Sequence, residues 1–126
     1  MDDEINEPKI NWLDQPRDSN YPAAEAYLTL CFPPKKAKSL AKKLKSAKTV
    51  RFKAKDIFRA SLLNLLGLQN RHVDANLEKI KNGEELSPIL LVRNPQSNRV
   101  IIADGYHRLS AVYALCEDAD IPCKIV

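Results

Sequence analysis

Two apolar runs close together constrain this chain more than anything else in it. "PILLVRN" (88–94) and "RVIIAD" (99–104) are short apolar strands separated by the turn-rich link "PQSN". The second run breaks at Asp104-Gly105, and helical spacing resumes through Leu109, Val112, Tyr113 and Cys116 on one face. Strand, strand and helix therefore follow one another directly. Each apolar core is four residues long, far below the roughly 18 to 20 residues needed to span a bilayer.

The remaining segments give an α+β order. Residues 1–20, with Pro8, Pro16 and repeated Asp and Asn, read as an acidic irregular arm anchored by Trp12 and Leu13. Residues 21–48 read as a helical N-terminal extension. Its first helix, "YPAAEAYLTLCF", has Pro22 near its start and ends before Pro33-Pro34. In its second, Ala37, Leu40, Ala41, Leu44 and Ala47 form one apolar stripe with lysines around it. "TVRFK" (49–53) alternates as a strand does, and "AKDIFRASLLNLLG" resumes helical spacing through Ile57, Phe58, Leu62 and Leu65, with Gly67 as its stop. A further helix runs from Asn70 to Asn82 with Val73, Leu77 and Ile80 inward and Gly83 at its C-terminal cap. After a turn at "EDAD", "IPCKIV" is a final strand. A chain of 126 residues fits one compact domain.

Charge and cysteine usage narrow the setting. The net charge is +4, and ten bases with no acid fall within residues 35–55, against six acids within residues 1–20. Such asymmetry attracts a polyanion, or lets the acidic arm lie against the basic helix. Cys31, Cys116 and Cys123 are too few and too scattered for a disulfide framework or a CxxC zinc ribbon. The acidic start "MDDEINEPKI" lacks the apolar stretch of a signal peptide, so a cytoplasmic protein with reduced thiols is expected. P-loop and dinucleotide fingerprints are missing, and neither His72 nor His107 has a metal-ligand spacing, so no zinc and no haem are expected.

The segment "DGYHR" (104–108) has two readings. In one, Asp104 caps the following helix and Gly105 only eases the turn. In the other, Gly105 lets an anion approach open backbone N–H groups, while His107 and Arg108 add hydrogen bonds and charge. Cations are unfavourable at a helix N-terminus, so helix stability alone does not explain them there.

The order of pieces from Val50 to Val126 resembles the ParB/sulfiredoxin-like superfamily. These pieces are "VRFKAKDI", "NLEKIKNG", "SPILLV", "VIIADGYHRLSAVYAL" and "IPCKIV". The superfamily box looks like "GERR" in partition proteins, "GGCHR" in sulfiredoxins and "DGHHR" in a group that includes a free-serine kinase. "DGYHR" is most similar to the last, and the N-terminal part looks like a small bacterial subgroup. The resemblance implies a ParB/sulfiredoxin-like domain over 49–126, with a small mixed sheet packed against helices. It also implies phosphate or nucleotide contacts by Gly105, Tyr106, His107 and Arg108, with Asp104 and His107 as catalytic groups and Asp104 as a metal ligand. A nucleotide such as ATP, ADP or CTP, with Mg²⁺, is the implied cofactor, and phosphoryl transfer or hydrolysis the implied chemistry. Lys55 and Asp56, with Lys53 and Arg59, follow the first strand and are further pocket candidates; Asp56 as a helix cap and solvated lysines are the competing reading. Tyr106 stands where sulfiredoxins carry cysteine, so sulfinic-acid reduction is not expected. No helix-turn-helix follows the box before Val126, so partition-site recognition is not expected either.

Other classes stay open. The basic stretch, through Lys42, Lys43 and Lys45, suits sequence-independent nucleic-acid binding without catalysis. Metal-dependent nuclease activity lies between the two. In a third reading the box is a degenerate pocket and the N-terminal helices form a partner or homodimer surface. No membrane partner is expected.

Overall fold

The computed structural model describes residues 9–64 and 70–126 and shows an α+β protein. In chain order its elements are β1 (Asn11–Trp12), α1 (Asn20–Leu28), α2 (Pro34–Ser46), β2 (Val50–Lys53), α3 (Ala54–Ser61) and α4 (Arg71–Lys81). They continue with β3 (Glu85–Leu86), β4 (Ile89–Asn94), β5 (Arg99–Asp104), α5 (Tyr106–Leu115) and β6 (Asp120–Ile125). Four strands form a mixed sheet in the order β2-β6-β4-β5. β4 and β5 are an antiparallel hairpin, and Asn98 takes the left-handed turn conformation at φ 59°. β6 returns parallel to β4 after the chain crosses over through α5.

Burial on both faces explains why "ILLV" does not alternate with polar residues. Ile89 and Leu91 face a core built with Ile57 and Phe58 of α3, Val73 and Ile80 of α4, and Leu109 and Val112 of α5. Leu90 and Val92 point the other way, onto Ala24 and Leu28 of α1 and Ala37, Leu40 and Leu44 of α2. The sheet is thus the middle of three layers, and the N-terminal helices are one of its two covers rather than an appendage. The lysine-flanked stripe of α2 is buried as its spacing predicts, through Ala37, Leu40, Ala41 and Leu44. Lys124 of β6, only 3% exposed, crosses beneath it and donates to the Lys45 carbonyl at 3.0 Å. A cation placed there meets the negative end of the α2 dipole.

Two of the elements differ from the sequence reading. The arm is not irregular throughout: Asn11 and Trp12 pair in parallel with Glu85 and Leu86. Asn11 Nδ2 also donates to the Gly83 carbonyl at 3.0 Å, and Trp12 packs against the main core. The helix expected to run to Gly67 ends at Ser61, where Leu62 turns left-handed (φ 57°) and is exposed. The Ser61 hydroxyl donates to the Phe58 carbonyl and accepts from the Leu63 N–H, a local alternative to helical bonding that propensity counting overlooks. Leu65 and Gly67 lie outside the described residues. Among the described residues no helix is long and apolar enough to cross a membrane.

Candidate functional site

The hairpin and α5 build the turn at 104–108. Leu90 is opposite Asp104 and Leu91 opposite Ile102, which leaves Ala103 as the extra residue of a β-bulge. A bulge there re-aims the strand end just before the turn. Gly105 follows at φ +111° and is the N-cap of α5. A Cβ at this position would stand 2.4 Å from Ile89 Cδ1 and 3.0 Å from Arg108 Nη2, so both conformation and space demand glycine.

Asp104 does not cap the helix. Among the described residues no side chain does, and the Asp104 carboxylate instead accepts from Arg108 Nη2 at 3.0 Å. Arg108 also donates from Nε to the Ser87 carbonyl (3.0 Å) and from Nη2 to the Pro88 carbonyl (3.2 Å). Its guanidinium therefore ties the start of β4 to the end of β5, and its ion pair with Asp104 is largely enclosed. Of its five N–H groups, the two on Nη1 have no hydrogen-bond partner among the described residues. The first-turn N–H groups of α5 are likewise left open.

Residues 104–108 line a cleft of about 340 Å³. Besides residues 104–108, its walls include Arg17 and Asn20 from the arm and the start of α1, His72, Asn76 and Lys79 from α4, and Glu85 to Ser87. Pairing of β1 with β3 brings the arm here, and Arg17 Nη2 lies 3.5 Å from the Glu85 carbonyl. Asn70 caps α4, accepting from the N–H groups of His72 (2.9 Å) and Val73 (3.2 Å), and so fixes where His72 emerges. His72 and His107, the only histidines, meet with ring centres 4.8 Å apart. Burial, then His72, then Arg108 hold the His107 imidazole below its ordinary range, so it is neutral at pH 7 and can accept a proton. Tyr106 is held by its hydroxyl, which donates to the Asn64 carbonyl.

Asp104, Gly105, Tyr106, His107 and Arg108 thus come together, whereas Lys55 and Asp56 do not join them. Lys55 pairs with Asp118 at 2.6 Å on the surface, and Asp56 pairs with Arg59. Asp56 lines a separate apolar hollow with Phe52, Ile57, Leu91 and Val100. Lys53 reaches the Asp118 carbonyl. Lys42, Lys43 and Lys45 are exposed on α2 and line no part of the cleft. Among the described residues no three His, Cys, Asp or Glu side chains cluster as a metal site.

Sequence reasoning missed Arg17, Asn20, His72, Asn76, Lys79 and Ser87. A signal existed for three of them: His72, Asn76 and Lys79 recur at helical spacing beside the inward stripe of Val73, Leu77 and Ile80. Arg17 and Asn20 carried none, because the β1–β3 pairing that places them is two residues long. No family model, curated protein or solved structure matches the chain.

Proposed function

We propose that this is a ParB/sulfiredoxin-like domain that binds the phosphate group of a nucleotide or another phosphorylated ligand at the start of α5. The observation that carries the reading is an uncapped helix N-terminus opening into a cleft that also holds Arg17, Lys79 and the His72–His107 pair. Open N–H groups and the helix dipole favour negative charge there, and Arg17, Lys79 and Arg108 Nη1 add to it. Arg108 and Asp104 have a positioning role, since their pairing holds the turn in shape. Neutral His107, as a general base, takes the proton of a hydroxyl that attacks the bound phosphorus.

The donor set fits a protein-held Mg²⁺ poorly. Asp104 is already neutralised by Arg108, and Glu85 is the one other carboxylate lining the cleft. No step of the reading uses a metal.

Thermal unfolding with inorganic phosphate, ATP, ADP and CTP tests the proposal. Phosphate-bearing ligands should raise the melting temperature, and Arg17→Glu with Lys79→Glu should remove the shift, while charge reversal at Lys42, Lys43 and Lys45 should not. The opposite pattern, together with binding to DNA that falls steeply with salt, would overturn it in favour of a nucleic-acid surface on α2.

A further inference from the structure

Resting on that phosphate reading, the geometry points to a phosphate monoester of a small polyhydroxylated molecule, a sugar or polyol phosphate, as the class of ligand. The cleft, about 340 Å³, holds more than a phosphate group but lies at the small end of ligand sites, which run from about 300 to 1,000 Å³. Its walls differ from those a nucleoside needs. A base is held by stacking on an aromatic or apolar face. Among the described lining residues Leu86 is the one aliphatic side chain, and the rings of His72 and Tyr106 each lie tilted against that of His107.

Hydroxyl groups both donate and accept, and the unused hydrogen-bonding capacity of the cleft matches that need. Asn20 Oδ1 accepts from the Arg17 N–H at 2.8 Å, which leaves its amide N–H groups as donors. Asn76 Nδ2 donates to the His72 carbonyl at 2.8 Å, which leaves its Oδ1 as an acceptor. Glu85 adds a carboxylate to the same wall. Ser87, only 4% exposed, also lines the cleft, and its buried hydroxyl has no hydrogen-bond partner among the described residues. The phosphate end belongs at Gly105 to Arg108 and the hydroxylated end between Asn20, Asn76 and Glu85.

Calorimetric titration of the full chain with inorganic phosphate, glycerol 3-phosphate, ribose 5-phosphate, glucose 6-phosphate and ATP tests the inference. At least one sugar or polyol phosphate should bind roughly tenfold or more tightly than inorganic phosphate, as two or three added hydrogen bonds provide. Asn76→Ala should weaken that ligand roughly fivefold and leave inorganic phosphate unchanged. Equal affinity for inorganic phosphate and every ester, or tighter binding of ATP than of all three esters, would overturn the ligand class while leaving the phosphate site standing. Absence of binding by all five would overturn both.

Discussion

Gly105 shows how one residue can carry the geometry of a site. Its φ of +111° lies where L side chains are strained, and the nearest atom to a would-be Cβ is Ile89 Cδ1, whose residue is fully buried in the core. Neither conflict can relax independently, because moving the turn away from Ile89 also moves Arg108, which is anchored to the carbonyls of Ser87 and Pro88. Gly105→Ala should therefore destabilise the protein by about 3 kcal/mol, backbone strain and overpacking together. Urea unfolding would read this as a lower midpoint at unchanged slope. A midpoint within error of the wild type would mean that the turn is not held as described. Arg108 teaches a related lesson. The resemblance makes it a phosphate contact; in the structure its Nε and Nη2 bond to the protein itself.

At the scale of elements, the site lies where the start of α5 faces α4. Each helix contributes one imidazole, and the charged neighbours of the pair are Arg17, Lys79, Glu85, Asp104 and Arg108. Because burial and the neighbouring positive charge lower the His107 pKa, the unfolded chain takes up a proton at a pH where the folded protein resists it. The stability contributed by neutral His107 is present above about pH 6.5 and is lost as the pH falls through the folded-state value. Unfolding midpoints measured at pH 7.5 and 5.5 should differ less in His107→Gln than in the wild type; an equal drop in both would assign the acid sensitivity elsewhere.

The elements also show what a sequence can and cannot carry. α2, α4, β4 and β5 were legible because burial imposes a period: Leu40 and Leu44 sit one turn apart, and "ILLV" is covered on both faces. The end of α4 was legible from Gly83, whose N–H bonds to the Ile80 carbonyl while that of Glu84 bonds to Lys79. α3 was read too long, because a hydroxyl bond at Ser61 stops it before its apolar spacing ends. β1 and β3 left no pattern, since a two-residue strand has no period. One wall of the cleft, with Arg17, Asn20 and Glu85, depends on that pair. The turn itself could be read from "DGYHR" and the α4 wall from its helical spacing, but Arg17 and Asn20 could not be placed.

For the whole molecule, the three-layer arrangement keeps the two basic features apart. α2 covers one face of the sheet with its lysines outward, whereas the cleft belongs to the side of α4 and α5, with Arg17 of the N-terminal arm in its wall. The arm's pairing with β3, directly before β4, joins the first described residues to the segment that Arg108 grips. An anion at the start of α5 and a polyanion along α2 would therefore meet different residues, and the two can be told apart by where binding is felt. The most direct test is a ¹H–¹⁵N correlation spectrum of the protein titrated with inorganic phosphate at neutral pH. Saturable shifts confined to the backbone N–H groups of Tyr106, His107 and Arg108, with smaller ones at Arg17 and Lys79, are the predicted result. Shifts centred on Lys42, Lys43 and Lys45, or no saturable shift at residues 105–108, would contradict the account.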